Sequence, residues 1–399
     1  MAKRAAKGAA KANAKGDAKG MVFKIKVQAL LTQLALMSGV EDRRNSIPVL
    51  HNLSIQSVNP VTIKLTATDL DVTLTCQAEA EIIEPGSMLV PLKKLLDITK
   101  TLPRTADISF QALEQGGAKV TCERASFKLV APEFDSFPEL PKPCEGAIQI
   151  PASTIASMIT STIFAITDEA SRYTLSGAKV EIDQQSLRMV TTDGHRLAKS
   201  EDKTTTAQNP IEVLIPEKAL ATLAKLCAAH DGPLSFTADE NHAHFNVGSS
   251  VLIARLLYGQ FPDYKMVFPK DNTRSFTADV ALFRDTLRRV SLMADERSHS
   301  VRLDVKTNGT LTLVAANSEG GQAVEDLPIS LQGDATAGSD AGDVALSIGF
   351  NGTFILDALA SLNADQATMT FKDGNSQVMI LPTIPSTIEV ANVVMPMRI

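Results

Sequence analysis

The chain has 399 residues, 44% of them hydrophobic, and a net charge of −6 at pH 7; the length predicts two to three domains with ample material for several cores. No apolar run approaches a membrane span. The four cysteines (Cys76, Cys122, Cys144, Cys227) lie far apart without a C-x-x-C, which argues against a zinc site or a disulfide framework and fits a reducing, cytosolic setting.

Residues 1–20 are almost wholly Ala, Lys and Gly, with six basic residues against Asp17, a net +5 that leaves −11 for the remainder. They lack the apolar core of a secretion signal and the Arg/Ser bias of a transit peptide. This segment is expected to be a disordered basic tail: a solvated extension, a remnant of cloning, or a weak polyanion-binding arm.

Phe23-Lys24-Ile25-Lys26 then alternates as a strand, and Leu30, Leu31, Leu34 and Met37 follow helical spacing until Gly39. Several short alternating strands come next. Pro91 opens a second helical pattern with Leu95, Leu96, Ile98 and Leu102, and more strands follow. The same order returns with Ile148-Gln149-Ile150, then Ile155 and Ile159, and after Pro216 with Leu220, Leu223 and Cys227. It returns again with Phe276, then Leu282, Phe283, Leu287 and Val290, and after Asn351 with Ile355, Leu356, Leu359 and Leu362. Two helices among many strands, three times over, predict an α+β fold with antiparallel sheet.

The repeat is visible residue by residue. Leu65-Thr66-Ala67-Thr68-Asp69-Leu70, Met189-Val190-Thr191-Thr192-Asp193-Gly194 and Leu313-Val314-Ala315-Ala316-Asn317-Ser318 each read as an apolar strand end followed by a polar turn. Asp69, Asp193 and Asn317 are spaced 124 residues apart, as are Phe137-Pro138 and Phe261-Pro262. A period this long means tandem domains and not a solenoid. The third copy is longer by a run from Gly333 to Asp343 composed like a loop insertion.

No catalytic constellation accompanies the repeat. G-x-x-x-x-G-K, a strand-borne G-x-G-x-x-G and G-x-S-x-G are all missing from the sequence. Asp193 with His195 lacks a nucleophile, and Asp69-Leu70-Asp71 reads as a polar turn. His242 and His244 alternate on a strand, but no third metal ligand follows at a usual spacing. They are expected to be surface histidines, with no metal and no cofactor.

The run Thr191-Thr192-Asp193-Gly194-His195-Arg196-Leu197-Ala198, the segment Phe261-Pro262-Asp263-Tyr264 and the end Val393-Val394-Met395-Pro396-Met397-Arg398-Ile399 resemble the bacterial sliding clamps, the beta subunits of DNA polymerase III. So do Ile47-Pro48-Val49-Leu50-His51-Asn52-Leu53, Thr66-Ala67-Thr68-Asp69-Leu70, Ser176-Gly177 and Gly349-Phe350-Asn351. The resemblance covers about residues 21–399, without the tail and the 333–343 insertion. It implies three similar clamp domains, 21–143, 144–268 and 269–399, in a head-to-tail dimeric ring whose helices face duplex DNA. It also implies a non-catalytic, cytoplasmic processivity factor.

For DNA contact the resemblance and the predicted helices point to Lys93, Lys94 and Lys100, to Lys218 and Lys225, and to Arg284, Arg288 and Arg289. Arg43 and Arg44 match a DNA-touching loop. Without a base-reading motif the contact is expected with backbone alone. For a peptide-binding pocket serving polymerase, clamp loader and repair and mismatch-repair proteins, the matching positions are Thr192, Gly194, His195, Arg196, Leu197, Pro262, Val267, Asn351, Phe354 and Val393, Val394, Met395, Pro396, Met397, Arg398 and Ile399. Leu197, Pro262, Val267, Val394 and Met395 are expected as its apolar walls. Phe127, Leu129, Leu292 and Met293 match the subunit contact. Met266 stands where relatives often have Arg, and Ser298 where an aromatic is common, which bears on partner preference. The alternatives are a three-domain peptide-binding scaffold without DNA encirclement, and an enzyme using Asp193 and His195.

Overall fold

The 124-residue period falls on one recurring side-chain oxygen. In a computed structural model that describes residues 20–41, 47–141, 148–333 and 344–398, Asp69 Oδ1 accepts from the amides of Asp71 and Val72 at 3.0 and 2.7 Å. Asp193 Oδ1 accepts from His195 and Arg196 at 2.9 and 3.0 Å. Asn317 Oδ1 accepts from Glu319 and Gly321 at 3.2 and 2.8 Å. Each is an Asx turn that reverses the chain between two paired strands. The recurring residue is therefore the device that sets hairpin register, and Asp69 and Asp193 are engaged by their own turns. The tail up to residue 19, Arg43 and Arg44, Cys144, most of the 333–343 insertion and Ile399 lie outside the described residues.

Domain one runs β1 (Val22–Lys26), α1 (Val27–Met37), β2 (Asn52–Asn59), β3 (Thr62–Thr68), β4 (Val72–Glu79), β5 (Glu81–Glu84), β6 (Ser87–Pro91), α2 (Leu92–Thr101), β7 (Asp107–Ala112), β8 (Ala118–Cys122) and β9 (Ala125–Leu129). Domain two runs β10 (Ile148–Pro151), α3 (Ala152–Thr160), β11 (Gly177–Ile182), β12 (Leu187–Thr192), β13 (Arg196–Asp202), β14 (Ile211–Pro216), α4 (Glu217–Ala228), β15 (Pro233–Ala238), β16 (His242–Val247) and β17 (Ser250–Arg255). Domain three runs β18 (Arg274–Asp279), α5 (Val280–Ser291), β19 (Ser300–Lys306), β20 (Thr310–Ala316), β21 (Gln322–Pro328), β22 (Ser330–Gly333), β23 (Val344–Asn351), α6 (Gly352–Ser361), β24 (Gln366–Phe371), β25 (Val378–Pro382) and β26 (Ile388–Val394).

The six α-helices among the described residues fall where the apolar spacing puts them, and each follows a strand directly. Pro91, Pro151 and Pro216 stand at the N-caps of α2, α3 and α4, where a missing N–H costs nothing. Asp279 and Asn351 cap α5 and α6 by accepting from Leu282 and Thr353 amides. The buried stripe of each helix, for example Phe283, Thr286, Leu287 and Val290 on α5, packs onto the sheets and onto the partner helix.

One four-strand order appears in all three domains: β6-β2-β3-β4, β14-β11-β12-β13 and β23-β19-β20-β21. A second recurs as β1-β7-β8-β9 in domain one and β18-β24-β25-β26 in domain three. Domain one, together with Ser249–Ile253, forms one compact unit, and the rest of domains two and three belongs to another. Within the latter, β26 pairs antiparallel with β13 from Arg196↔Val394 to Asp202↔Ile388, so the two domains share one nine-stranded sheet. At the positions equivalent to β26 and β13, β9 ends its sheet in domain one and β21 ends its sheet in domain three.

Candidate peptide-binding site

The β12–β13 turn builds the site. Gly194 sits at φ +88, and a Cβ there would stand 2.9 Å from Arg172 Nη1, which donates to Asp193 O at 2.5 Å. Both the turn and the close approach therefore require glycine. Thr192 Oγ1 donates to Arg196 O at 2.6 Å and tightens the same turn. His195 is exposed and stacks on Phe354, ring centroids 6.5 Å apart. With Asp193 Oδ2 held by Arg196 Nε at 3.0 Å, no acid–base pair is assembled.

Arg196 joins domains two and three. Its side chain is 12% exposed and reaches Asp193 at 3.0 Å and Asp357 of α6 at 2.6 Å. Nη2 donates to Phe164 O at 2.5 Å. The guanidinium lies over the rings of Phe164 and Phe354, 5.2 and 4.5 Å from their centroids. Only Arg has a planar fork able to serve so many partners at once.

Beside it a recess of about 110 Å³ is lined by Leu175, Thr192, Gly194, Arg196, Leu197, Pro262, Tyr264, Val267, Val393 and Met395. Leu175, Leu197, Phe261, Tyr264 and Val393 are buried around it with Val190 and Leu214. Metabolite pockets run to roughly 300–1,000 Å³, so this one suits the side chains of a peptide. The chain beyond β26 forms one rim: Met395 N donates to His195 O at 2.9 Å and Met397 N to Gly349 O at 2.8 Å.

Eight of the expected positions line the recess directly. His195 and Phe354 flank Arg196; Asn351 serves as the α6 cap; Pro396, Met397 and Arg398 continue the rim. Val394 is a correction: it is 1% exposed and belongs to the domain-three core. Neighbours on a strand face opposite ways, and it is Val393 that faces the recess. Tyr264, Leu175 and Phe164 were not anticipated. Tyr264 is held by its hydroxyl, which donates to Glu181 Oε2 at 2.8 Å. Glu181 also meets Lys179 and Arg188 at 2.9 and 3.1 Å. Burial pushes the Glu181 carboxyl up, but these partners outweigh it and hold it below its usual range. The Tyr264 hydroxyl is pushed up, by burial first and then by Glu181, and stays protonated as a donor.

Among the expected DNA contacts, Lys93, Lys94 and Lys100 stand exposed on α2 and Lys225 on α4, while Lys218 is half-buried. On α5, Arg284 is half-buried, Arg288 is exposed beside Asp285 at 3.5 Å, and Arg289 is clasped by Glu325 at 2.5 Å. Of the expected subunit-contact residues, Leu292 is 82% exposed and Phe127 and Met293 are half-buried. Leu129, at 5%, is packed into its own domain and leaves little surface to share. Met266 is exposed, and Ser298 is bound to Asp295 Oδ1 outside the recess lining.

The surface reading also fails for His244, whose side chain is 1% exposed against Asp239. Cys76, Cys122 and Cys227 are free and buried, and burial pushes the Cys76 and Cys227 thiols up to about 11 and about 12, which leaves them unreactive. Among the described residues no helix is long and apolar enough to cross a membrane.

Family models for the N-terminal, central and C-terminal domains of the DNA polymerase III beta subunit match residues 21–141, 149–263 and 265–398. The beta sliding clamps of Haemophilus influenzae and Escherichia coli are each 32% identical over 381 residues, covering 95% of this chain and all of theirs. A crystal structure of the Pseudomonas aeruginosa clamp bound to griselimycin superposes with a TM-score of 0.85 at 32% identity, over 95% of this chain and all of that one. A Caulobacter crescentus beta sliding clamp structure gives 0.87 at 29% identity, over 96% and all of it. The chain thus belongs to the family of DNA polymerase III beta subunits, the bacterial sliding clamps, which are non-catalytic processivity factors of that polymerase.

Proposed function

We propose that two copies of the chain close head to tail into a ring around duplex DNA, and that the recess receives short apolar peptides of the replicative polymerase, the clamp loader and repair proteins, mismatch repair included. The observation that carries the ring is the pairing of β26 with β13. It joins the last strand of one domain to the hairpin strand of the preceding one. The equivalent strands left at sheet edges are β9 in domain one and β21 in domain three. A second copy can repeat the same joint there, β21 of one against β9 of the other, and close a symmetric assembly without free ends. Exposed Val130, Leu292 and Val324, at 69%, 82% and 58%, lie at or next to these elements and become covered.

A ring explains how an acidic chain serves DNA. Tight phosphate binding is salt-sensitive and opposes sliding, whereas an encircling chain is held by topology and needs only weak backbone contact. Lys93, Lys94, Lys100, Lys218, Lys225, Arg284 and Arg288 supply that contact from the helices. Arg289, shared with Glu325, contributes less.

The test is retention. The chain is loaded onto a nicked circular plasmid, washed, and the plasmid is then cut once. A clamp stays on the circle at high salt and is lost within minutes of cutting. Retention that is equal before and after the cut marks an ordinary binding surface, and failure to stay on the circle at all favours a peptide-binding scaffold without encirclement.

A further inference from the structure

Among the described residues one group brings three ligating side chains together, Asp239, His242 and His244, on the β15–β16 hairpin. None of them lines the recess. The hairpin closes with Asp239 N donating to His242 O at 2.9 Å. Asp239 Oδ1 accepts from the amides of Asn241 and His242 at 2.7 and 2.8 Å, which fixes the carboxylate. Its other oxygen is thereby aimed at His244 Nε2, 2.9 Å away. His242 and His244 are two apart on one strand and share a face, with ring centroids 6.1 Å apart. His242 Nδ1 is 3.6 Å from Asp239 Oδ1, and one ligand atom from each residue lies within 4.8 Å of the others.

These separations suit an ion at the centre. Ligands at 2.0–2.1 Å in a tetrahedron stand about 3.3 Å apart; His244 Nε2 lies 2.9 Å from Asp239 Oδ2 and His242 Nδ1 3.6 Å from Oδ1, so the two imidazoles approach the two oxygens of one carboxylate, which can hold an ion through either. The exposures divide in the same sense: His244 is 1% exposed, His242 26% and Asp239 37%. One ligand is anchored in the domain and two open to solvent, which leaves room for water in the remaining position. Two imidazoles and one carboxylate are donors for borderline ions; Mg²⁺ and Ca²⁺ demand six or more oxygens.

We propose that Asp239, His242 and His244 form a binding site for a divalent transition-metal ion, Zn²⁺ foremost, with solvent completing its shell. The ion takes the position of the proton between His244 Nε2 and Asp239 Oδ2, and ties the turn to β16. The sequence hides the site because its third ligand lies inside the turn, before the first histidine and not after the second.

The test uses the full chain without a polyhistidine tag, dialysed against a chelator and titrated with ZnCl₂ by calorimetry and with CoCl₂ by visible absorption. One ion per chain and the intense visible bands of tetrahedral cobalt are expected. His242→Ala and Asp239→Asn should each weaken binding by at least about 100-fold, with His51→Ala unchanged. Asn at 239 can still accept the two turn amides, so its loss of binding reports the carboxylate and not a broken hairpin; unchanged melting of both variants checks this. The proposal is overturned by the lack of one-to-one binding, or by binding that keeps its affinity in either variant. A lone His–Asp hydrogen bond would give the first result.

Discussion

Arg196 should carry the junction of domains two and three, and Arg196→Met tests this by removing the charge while keeping a flexible apolar stem. Its side chain is 12% exposed and that of Asp193 14%, so the variant leaves a carboxylate largely buried beside the turn. Breaking a buried pair from one side costs about 3–5 kcal/mol; the low end, about 3, fits a site at the rim of a recess. Asp357 is 35% exposed, and Asp357→Asn should cost about 1 kcal/mol at most after solvent screening. Hydrogen exchange reads both through the β13–β26 amides and the Met395 amide bound to His195 O. At tenfold per 1.4 kcal/mol, Arg196→Met should speed exchange there about 150-fold and Asp357→Asn about fivefold. Exchange within about fivefold of the native chain in Arg196→Met, or equal effects of the two substitutions, would refute the assignment.

Deleting Met395 to Ile399 removes one wall of the recess, and fully burying an apolar side chain is worth roughly 1.5–3 kcal/mol. The affinity of a labelled clamp-binding peptide should fall at least about tenfold while sedimentation still shows dimers; unchanged affinity would remove these residues from the site. Leu292→Asp with Met293→Asp should give folded monomers, since Leu292 is 82% exposed in the single chain and charge buried at a joint is costly; persistent dimers would place the contact elsewhere. The Arg188 guanidinium, followed by the amides of Gln185 and Ser186, holds the Asp183 carboxyl down at about 2. A depressed folded value stabilises above the unfolded value near 3.9 and is lost as pH falls towards 2. Asp183→Asn should therefore melt lower than the native chain at pH 6 and converge with it near pH 2; a gap that stays constant would contradict this.

The fold was legible because its determinants repeat. Six helices came from apolar spacing, and the Asp69, Asp193 and Asn317 series marked hairpins whose amides need that side chain. Not every matched number meant matched geometry. Phe137-Pro138 follows a short turn at Phe134–Ser136, while Phe261-Pro262 precedes one at Tyr264–Met266. The recess was partly legible. Val393-Val394 offers no polar alternation to say which valine faces inward, and only the register Leu197↔Val393 decides it. Tyr264 stands in the Phe261–Tyr264 motif, but nothing local marks it as a wall, because its role depends on Glu181, 83 residues away in sequence. Leu129 and His244 show the opposite limit: an apolar or ionisable residue on a short strand gives no sign of its own burial.

In the ring proposed above, each chain carries both halves of one joint, β9 and β21. Two chains therefore share two identical joints, and breaking either leaves the partners leashed by its twin. The parted ends, still held by the other joint, then meet again as neighbours, whatever the dilution outside. Such a pair survives far below the dissociation constant of a single joint, and opening it to admit DNA requires work against one seam only. A mixed pair, one chain intact and one damaged at β9, keeps one good seam: it should remain paired yet gape, and so shed DNA without falling apart.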